Sequence, residues 1–196
     1  MDKTFPSAAD AVADLADGTS LAVGGFGLSG VPIVLIRAIL ERGIRELEVV
    51  SNNCGVDGWG LGELLAAGRI RRVIASYIGE NREFARQYMS GELEVELTPQ
   101  GTLAERLRAG GVGIPAFYTA TGAGTAVSDG GMPLRYAADG TVAAASAPKE
   151  LRPFDVFGSA REYVLESAIR TDVGLVRAAI GDRHGNLRFE QAARNF

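Results

Sequence analysis

A single cysteine and a single histidine stand in 196 residues, and each scarcity closes off a class of chemistry. One cysteine, Cys54, admits no internal disulfide. One histidine, His184, removes ordinary zinc sites and leaves any Ser-His-Asp arrangement resting on one imidazole, so no metal site is expected. His184 falls in Gly181-Asp182-Arg183-His184-Gly185-Asn186, which reads as a turn between strands. Cys54 has no histidine near it in sequence and reads as a small buried hydrophobe. Positive charge is not in excess either: a net charge of −4 with scattered Lys and Arg gives no electrostatic footprint for nucleic acid. No apolar run approaches the roughly 20 residues of a membrane helix. The acidic start, MDKTFPSAADAVADLADG, lacks the cationic region and apolar core of a signal peptide. Cytoplasmic residence, with neither nucleic acid nor membrane as partner, is the default expectation. A hydrophobic content of 46% with 22% charge suits one substantial core, and a single domain over residues 1–196 is expected.

Glycine, by contrast, is abundant and concentrated. In Asp17–Pro32, DGTSLAVGGFGLSGVP, the apolar run Leu21–Val23 breaks into Gly24-Gly25-Phe26-Gly27-Leu28-Ser29-Gly30, and a helical pattern starts near Pro32. Proline suits a first helical turn, where its missing N–H would be unpaired anyway. Glycines at a strand-to-helix turn let backbone N–H groups approach an anion, and the helix N-terminus adds partial positive charge. The loop therefore reads as a cradle for phosphate, carboxylate or a developing oxyanion. Gly25-x-Gly27-x-x-Gly30 formally meets the dinucleotide fingerprint, which also wants an acid about 20 positions on. The next strand runs instead into uncharged Ser51-Asn52-Asn53-Cys54-Gly55, which counts against NAD. The plain alternative is a tight turn that packs a helix on a strand.

Short apolar runs alternate with helical patterns over the first 110 residues, the mark of a parallel α/β sheet. The spacing predicts helices over Ala8–Ala16 (capped by Ser7, with Asp10 completing a partial box), Pro32–Arg42, Leu61–Ala67 and Arg82–Ser90. Strands are predicted at Leu21–Val23, Leu47–Val50, Val73–Ser76 and Leu93–Leu97. In the last, Leu93, Val95 and Leu97 alternate with Glu92, Glu94 and Glu96, which implies one wet face or an edge position. Thr102 and Glu105 read as the capping box of a further helix. Gly110–Gly131 reads as an ordered functional loop, Tyr136–Leu151 as a hairpin or excursion, and Glu162–Glu166, Val173–Ala179 and Asn186–Phe189 as further strands. The fold class is thus an open, mostly parallel α/β sheet flanked by helices, with extra strands in the C-terminal third.

Ligands in such sheets bind beyond the carboxyl ends of the strands. Gly24–Gly30, Ser51–Gly55, Tyr77–Asn81 and Thr98–Gly101 occupy that edge, and their glycine, serine, asparagine and glutamine content leaves Glu80 as the main charge. Neutral amide donors suit a carboxylate or a thioester carbonyl. Asn and Gly are also ordinary turn formers, so the reading rests on four such loops sharing one edge.

The string Asp17–Pro32 resembles the N-terminal signature of family I CoA-transferases, with Asp17, Gly18, Leu21-Ala22-Val23, Gly24-Gly25-Phe26, Gly30 and Pro32 filling its fixed places. SNNCGVDGWGLG (51–62), SYIGENREFARQYMSGELEVELTPQGTLAERLRAGG (76–111), IPAFYTATGAGT (114–125) and GDRHGNLRFEQAARNF (181–196) resemble the alpha (A) subunits of the succinyl-CoA:3-ketoacid group. The resemblance implies the CoA-transferase (NagB/RpiA-like) sheet and ping-pong movement of CoA between succinate and acetoacetate. The 3-oxoadipate enzyme is the close alternative, and a non-catalytic phosphate- or nucleotide-binding α/β module the alternative of another class. It further implies that Gly24, Gly25, Phe26, Gly27, Leu28, Ser29 and Gly30 contact CoA, and that Asn52 and Gln100 bind the substrate carboxylate. Asn53 and Glu80 would then stand behind them. CoA transfer needs a carboxylate that becomes an acyl anhydride and then a thioester. The family carries it as the glutamate of a Ser-Glu-Asn-Gly stretch on a beta (B) subunit. This chain has only Gly79-Glu80-Asn81, so no catalytic residue is expected here, and the partner is a B subunit, with small carboxylic acids and acyl-CoA as substrates and no permanently bound cofactor. The family pattern continues past a motif like Ala193-Arg194-Asn195-Phe196, adding strands to the same sheet, whereas the sequence here ends at that motif.

Overall fold

The computed structural model describes residues 2–156, 158–191 and 196. Ala193–Asn195 of the expected motif lie outside the described residues. The chain opens with α1 (Ala8–Ala11), then alternates β1 (Ser20–Val23), α2 (Ile33–Arg42), β2 (Leu47–Val50), α3 (Leu61–Ala66), β3 (Ile70–Ala75), α4 (Arg82–Met89), β4 (Glu94–Leu97) and α5 (Gln100–Val112). Beyond these come β5 (Ala116–Thr119), α6 (Ala126–Asp129), β6 (Pro133–Tyr136), β7 (Val142–Ala145), β8 (Leu151–Val156), β9 (Ser159–Ser167), β10 (Val173–Leu175), β11 (Ile180–Gly181) and β12 (Leu187–Arg188). Among the described residues, no helix is long and apolar enough to cross a membrane.

The central sheet has the order β10-β1-β2-β3-β4, and every pairing in it is parallel. Leu21, Val49, Val73 and Val95 are fully buried on one face, against Ile36 and Ile39 of α2, Leu64 and Leu65 of α3, and Phe84 of α4. Each such side chain contributes about 1.5–3 kcal/mol on leaving water, which makes this layer the main source of cohesion. Val50 and Ile74 face the other way and pack with Leu103 of α5 and with Ile169. β10 returns after a long excursion to the opposite edge, where Ser20 and Asp172 clamp it. The Ser20 N–H and hydroxyl both donate to Asp172 Oδ2 (2.9 and 2.6 Å), and the Asp172 N–H donates back to Ser20 Oγ at 2.9 Å. That exchange fixes the register Leu21↔Val173.

The other strands form the sheet β5-β9-β8 and the antiparallel pairs β6-β7 and β11-β12. β6-β7 is a hairpin, but its first strand starts at Pro133, ahead of the expected Tyr136–Leu151, and β11-β12 brackets the His184 turn.

Several expectations need correcting. The first helix ends at Ala11 instead of Ala16: Ser7 caps it as expected, but β-branched Val12, Asp14 and Gly18 favour the turns that follow. Pro32 is the N-cap of α2, its carbonyl accepting from the Ile36 N–H at 3.1 Å, and does not lie inside the first turn. The Thr102–Glu105 capping box does not form. Helix α5 begins three residues earlier, with Pro99 as N-cap and Gln100 as its first residue, because the Pro99 carbonyl already accepts from the Leu103 N–H at 2.8 Å. The Thr102 hydroxyl is left buried with no partner among the described residues, and Glu105 pairs with Arg108 instead. Gly110–Gly131 is half regular: α5 runs on to Val112, β5 pairs antiparallel with β9, and Thr125 and Ser128 cap α6 with a reciprocal box. β8 is a strand that the sequence does not announce, because Pro153 argues against one; the proline is tolerated on this outer strand of three.

Candidate functional site

At the carboxyl end of β1 the glycine loop folds into a tight turn. Phe26 and Ser29 exchange N–H···O bonds of 2.9 Å in both directions, and Gly27 between them takes φ +58°. A β-branched side chain is strained in that left-handed region. The loop's N–H groups are mostly spent inside the protein. Gly24 donates to the Leu175 carbonyl (3.0 Å), Gly25 to the Phe196 carbonyl (3.1 Å) and Gly27 to Asn53 Oδ1 (3.1 Å). The expected cradle of free N–H groups is therefore not what the seven residues present. Their exposed part is apolar: Phe26 and Leu28 are about half exposed. Leu28, Ser29 and Gly30 border a cleft of about 460 Å³ that Arg177 and Glu190 also line.

A second glycine-bearing turn, not nominated from the sequence, follows β2, with its positive φ at the second central residue instead of the first. Val56 and Trp59 bridge as Phe26 and Ser29 do, with Gly58 at φ +70° and Gly60 at φ +63°. A partial signal is present, since Gly55 and Gly60 repeat the five-residue separation of Gly25 and Gly30, with the middle glycine one place later in the turn.

Between these turns and α5 runs a chain of neutral side chains. Asn53 Oδ1 accepts from the Gly27 N–H and from Asn52 Nδ2, both at 3.1 Å. Asn52 Oδ1 accepts from the Ser76 hydroxyl at 2.8 Å and from Gln100 Nε2 at 2.6 Å. Three of the sequence-derived candidates, Asn52, Asn53 and Gln100, thus meet at one place together with Gly27. Their exposure differs: Asn52 and Asn53 are 3% and 9% exposed, and Gln100, in the first turn of α5, faces solvent. Ser76 is the member that no local pattern singles out.

Other residues of the four edge loops serve the fold. Ser51 donates to the Val23 carbonyl at 2.8 Å. Asn81 is fully buried, caps α4 by accepting from the Phe84 N–H and donates to the Cys54 carbonyl, both at 2.9 Å. Cys54 is fully buried as expected, and burial pushes its thiol up to about 12. Glu80 stands apart from the amide chain, exposed at a separate cleft with Asp57 and Arg82, and forms no hydrogen bond or ion pair among the described residues.

The sequence pattern of the family described as Coenzyme A transferase matches residues 5–196. The chain belongs to the coenzyme A transferase family. Across all 196 residues it is 64% identical to the alpha (A) subunit of the probable succinyl-CoA:3-ketoacid coenzyme A transferase of Mycobacterium tuberculosis, covering 77% of that protein. Identity is 53% to the corresponding subunit of the succinyl-CoA:3-ketoacid coenzyme A transferase of Xanthomonas campestris, over 99% of this chain and 72% of that one. Among solved structures, an acyl-CoA transferase from Escherichia coli O157:H7 superposes with a TM-score of 0.76 at 23% identity, over 96% of this chain. This transferase-family chain spans 37% of that structure's length. Glutaconate coenzyme A-transferase from Acidaminococcus fermentans gives a TM-score of 0.73 at 21% identity, over 94% of this chain and 59% of that one. Those two structures establish the shared fold, an α/β unit on a parallel sheet.

Proposed function

We propose that this chain is the A half of a CoA-transferase that exchanges CoA between succinyl-CoA and a 3-oxo acid, acetoacetate in the first instance. The observation that carries the reading is the uncharged edge at which Gln100, held by Asn52, meets the glycine turn through Asn53. An amide N–H donates well to a carboxylate in a closed site without the lock of an ion pair. The names of the full-length relatives agree with this substrate class.

The chemistry asks for a nucleophilic carboxylate. It attacks the thioester carbonyl and releases CoA as thiolate, leaving an acyl anhydride. The thiolate then attacks the enzyme's own carbonyl of that anhydride, releasing the first acid and leaving an enzyme thioester that the second acid takes up by the reverse steps. No carboxylate belongs to the chain of amides, and Glu80 sits at another cleft. We therefore assign the nucleophile to a B partner, as the glutamate of a Ser-Glu-Asn-Gly stretch. This chain binds and orients the acid through Gln100, and presents Phe26 and Leu28 beside the Arg177 cleft to the CoA thioester. The reading is tested by mixing the purified chain with its B partner and assaying CoA transfer from succinyl-CoA to acetoacetate. Transfer in the mixture supports it, and phosphate or nucleotide affinity of the chain with no transfer in the mixture replaces it with a binding module.

A further inference from the structure

The direction of the amide chain is fixed by a group that cannot turn round. A backbone N–H only donates, so the Gly27 N–H requires an oxygen from Asn53, and Oδ1 faces it at 3.1 Å. The same Oδ1 takes the Asn52 amide at 3.1 Å, which turns Asn52 Oδ1 towards Ser76 and Gln100. Gln100 must then donate with Nε2, because a carbonyl there would face another carbonyl. One of its two N–H bonds is committed to Asn52, and Oε1 with the second N–H remains for the ligand. We infer that Asn53 is a positioning residue: through Asn52 it lets the glycine turn dictate which way the Gln100 amide meets the acid. Asn53 itself is 9% exposed and acts through its neighbours. Ser76 adds a second donor to the same Asn52 oxygen, which opposes a flip of that amide. The inference rests on Gln100 facing the acid, as proposed above.

The test uses the A–B complex and a double-mutant cycle. Gln100→Ala should raise the acid's KM by about tenfold, with a smaller effect on kcat, because one hydrogen bond to a charged group is lost. Asn53→Ala should raise the same KM by about as much, and the double variant should be no more than about twofold worse than either single variant, as expected of residues acting in one unit. Asn53→Asp keeps an oxygen for both Gly27 and Asn52 and should restore the acid's KM to within about threefold of the parent. If the two alanine effects instead multiply to about a hundredfold, the residues act independently and the relay is overturned. If Gln100→Ala alone leaves the acid's KM unchanged, the site reading falls and the relay's role with it, a result distinct from multiplied effects. The full chain gives a second readout without activity. A glutamate in the first turn of α5 is ordinarily favoured by the helix's positive end, yet the relay sets its oxygens against Asn52 Oδ1. Gln100→Glu should therefore melt below Gln100→Ala, and melting above it contradicts the assigned direction.

Discussion

Gln100 Nε2 lies 2.6 Å from Asn52 Oδ1, a bond that joins the first turn of α5 to the loop after β2 across 48 residues of sequence. One partner is buried and the other faces solvent, so the pair is built to hold an exposed amide still. Holding the Gln100 side chain in one rotamer costs entropy, which the hydrogen bond to Asn52 offsets. On the function proposed above, Gln100 would be the side chain of this edge that reaches the acid, with Asn52 aiming it.

Gly27 takes φ +58° with open space around the position a Cβ would occupy, so substitution there strains the backbone without a collision. Gly27→Val should lower stability by about 1–2 kcal/mol, read by chemical unfolding. The A–B complex should also lose activity, because the turn that carries Phe26 and Leu28 shifts. Full activity in a folded variant would reduce the loop to a structural turn.

The Thr102 hydroxyl is buried without a partner among the described residues. Thr102→Val exchanges it for a methyl group of nearly the same shape and removes the desolvation penalty of an unpaired group, about 1–3 kcal/mol. The variant should melt at or above the parent; a clear loss of stability would mean that the hydroxyl has a partner in solution.

Much of this fold is legible in the residues themselves, for reasons that differ by element. β1 to β4 and the helices between them follow local periodicity, and the buried positions Leu21, Val49, Val73 and Val95 carry it. β5 and β8 are visible only once β9 is there to pair with them, since pairing is non-local and Pro153 disguises β8. The start of α5 is hidden because Thr102 and Glu105 satisfy a capping pattern that Pro99 pre-empts. At the site, amide-rich loops at one edge are enough to nominate Asn52, Asn53 and Gln100. They do not nominate Ser76, because nothing local distinguishes a serine that ends a strand from one that orients an amide.

Glu96 links the sheet to α5. Its carboxylate meets Arg72 at 2.7 Å and Arg106 at 2.6 Å. Burial alone would raise its pKa, but Arg106 and Arg72 outweigh burial and hold the carboxyl below its ordinary value. A depressed carboxylate contributes stability above the unfolded value of about 4.3, and loses it as the pH falls from there through the folded one. Glu96→Gln should cost about 1.5–3 kcal/mol at pH 7 and flatten the acid limb of the stability curve below about pH 4.3. An acid limb unchanged in this variant would assign the acid sensitivity to other carboxylates.

Cys54 supplies the opposite limb. Burial raises its thiol to about 12, so the folded state holds a proton that the unfolded chain gives up near ~8.5. Its contribution is complete below about pH 8.5 and is lost as the pH climbs towards about 12. A thiol reagent at about pH 8 should modify the unfolded chain rapidly and the native chain only at its unfolding rate. Rapid labelling of the native chain would place Cys54 in an open, reactive setting.

The most direct test is CoA transfer from succinyl-CoA to acetoacetate by this chain with and without its B partner. No turnover is predicted for the chain alone, and turnover on mixing. In the mixture, a CoA thioester should form on the B partner and persist when Glu80→Gln replaces the parent chain. Turnover by the isolated chain, abolished by Glu80→Gln, would contradict the half-enzyme reading and move the nucleophile to Glu80.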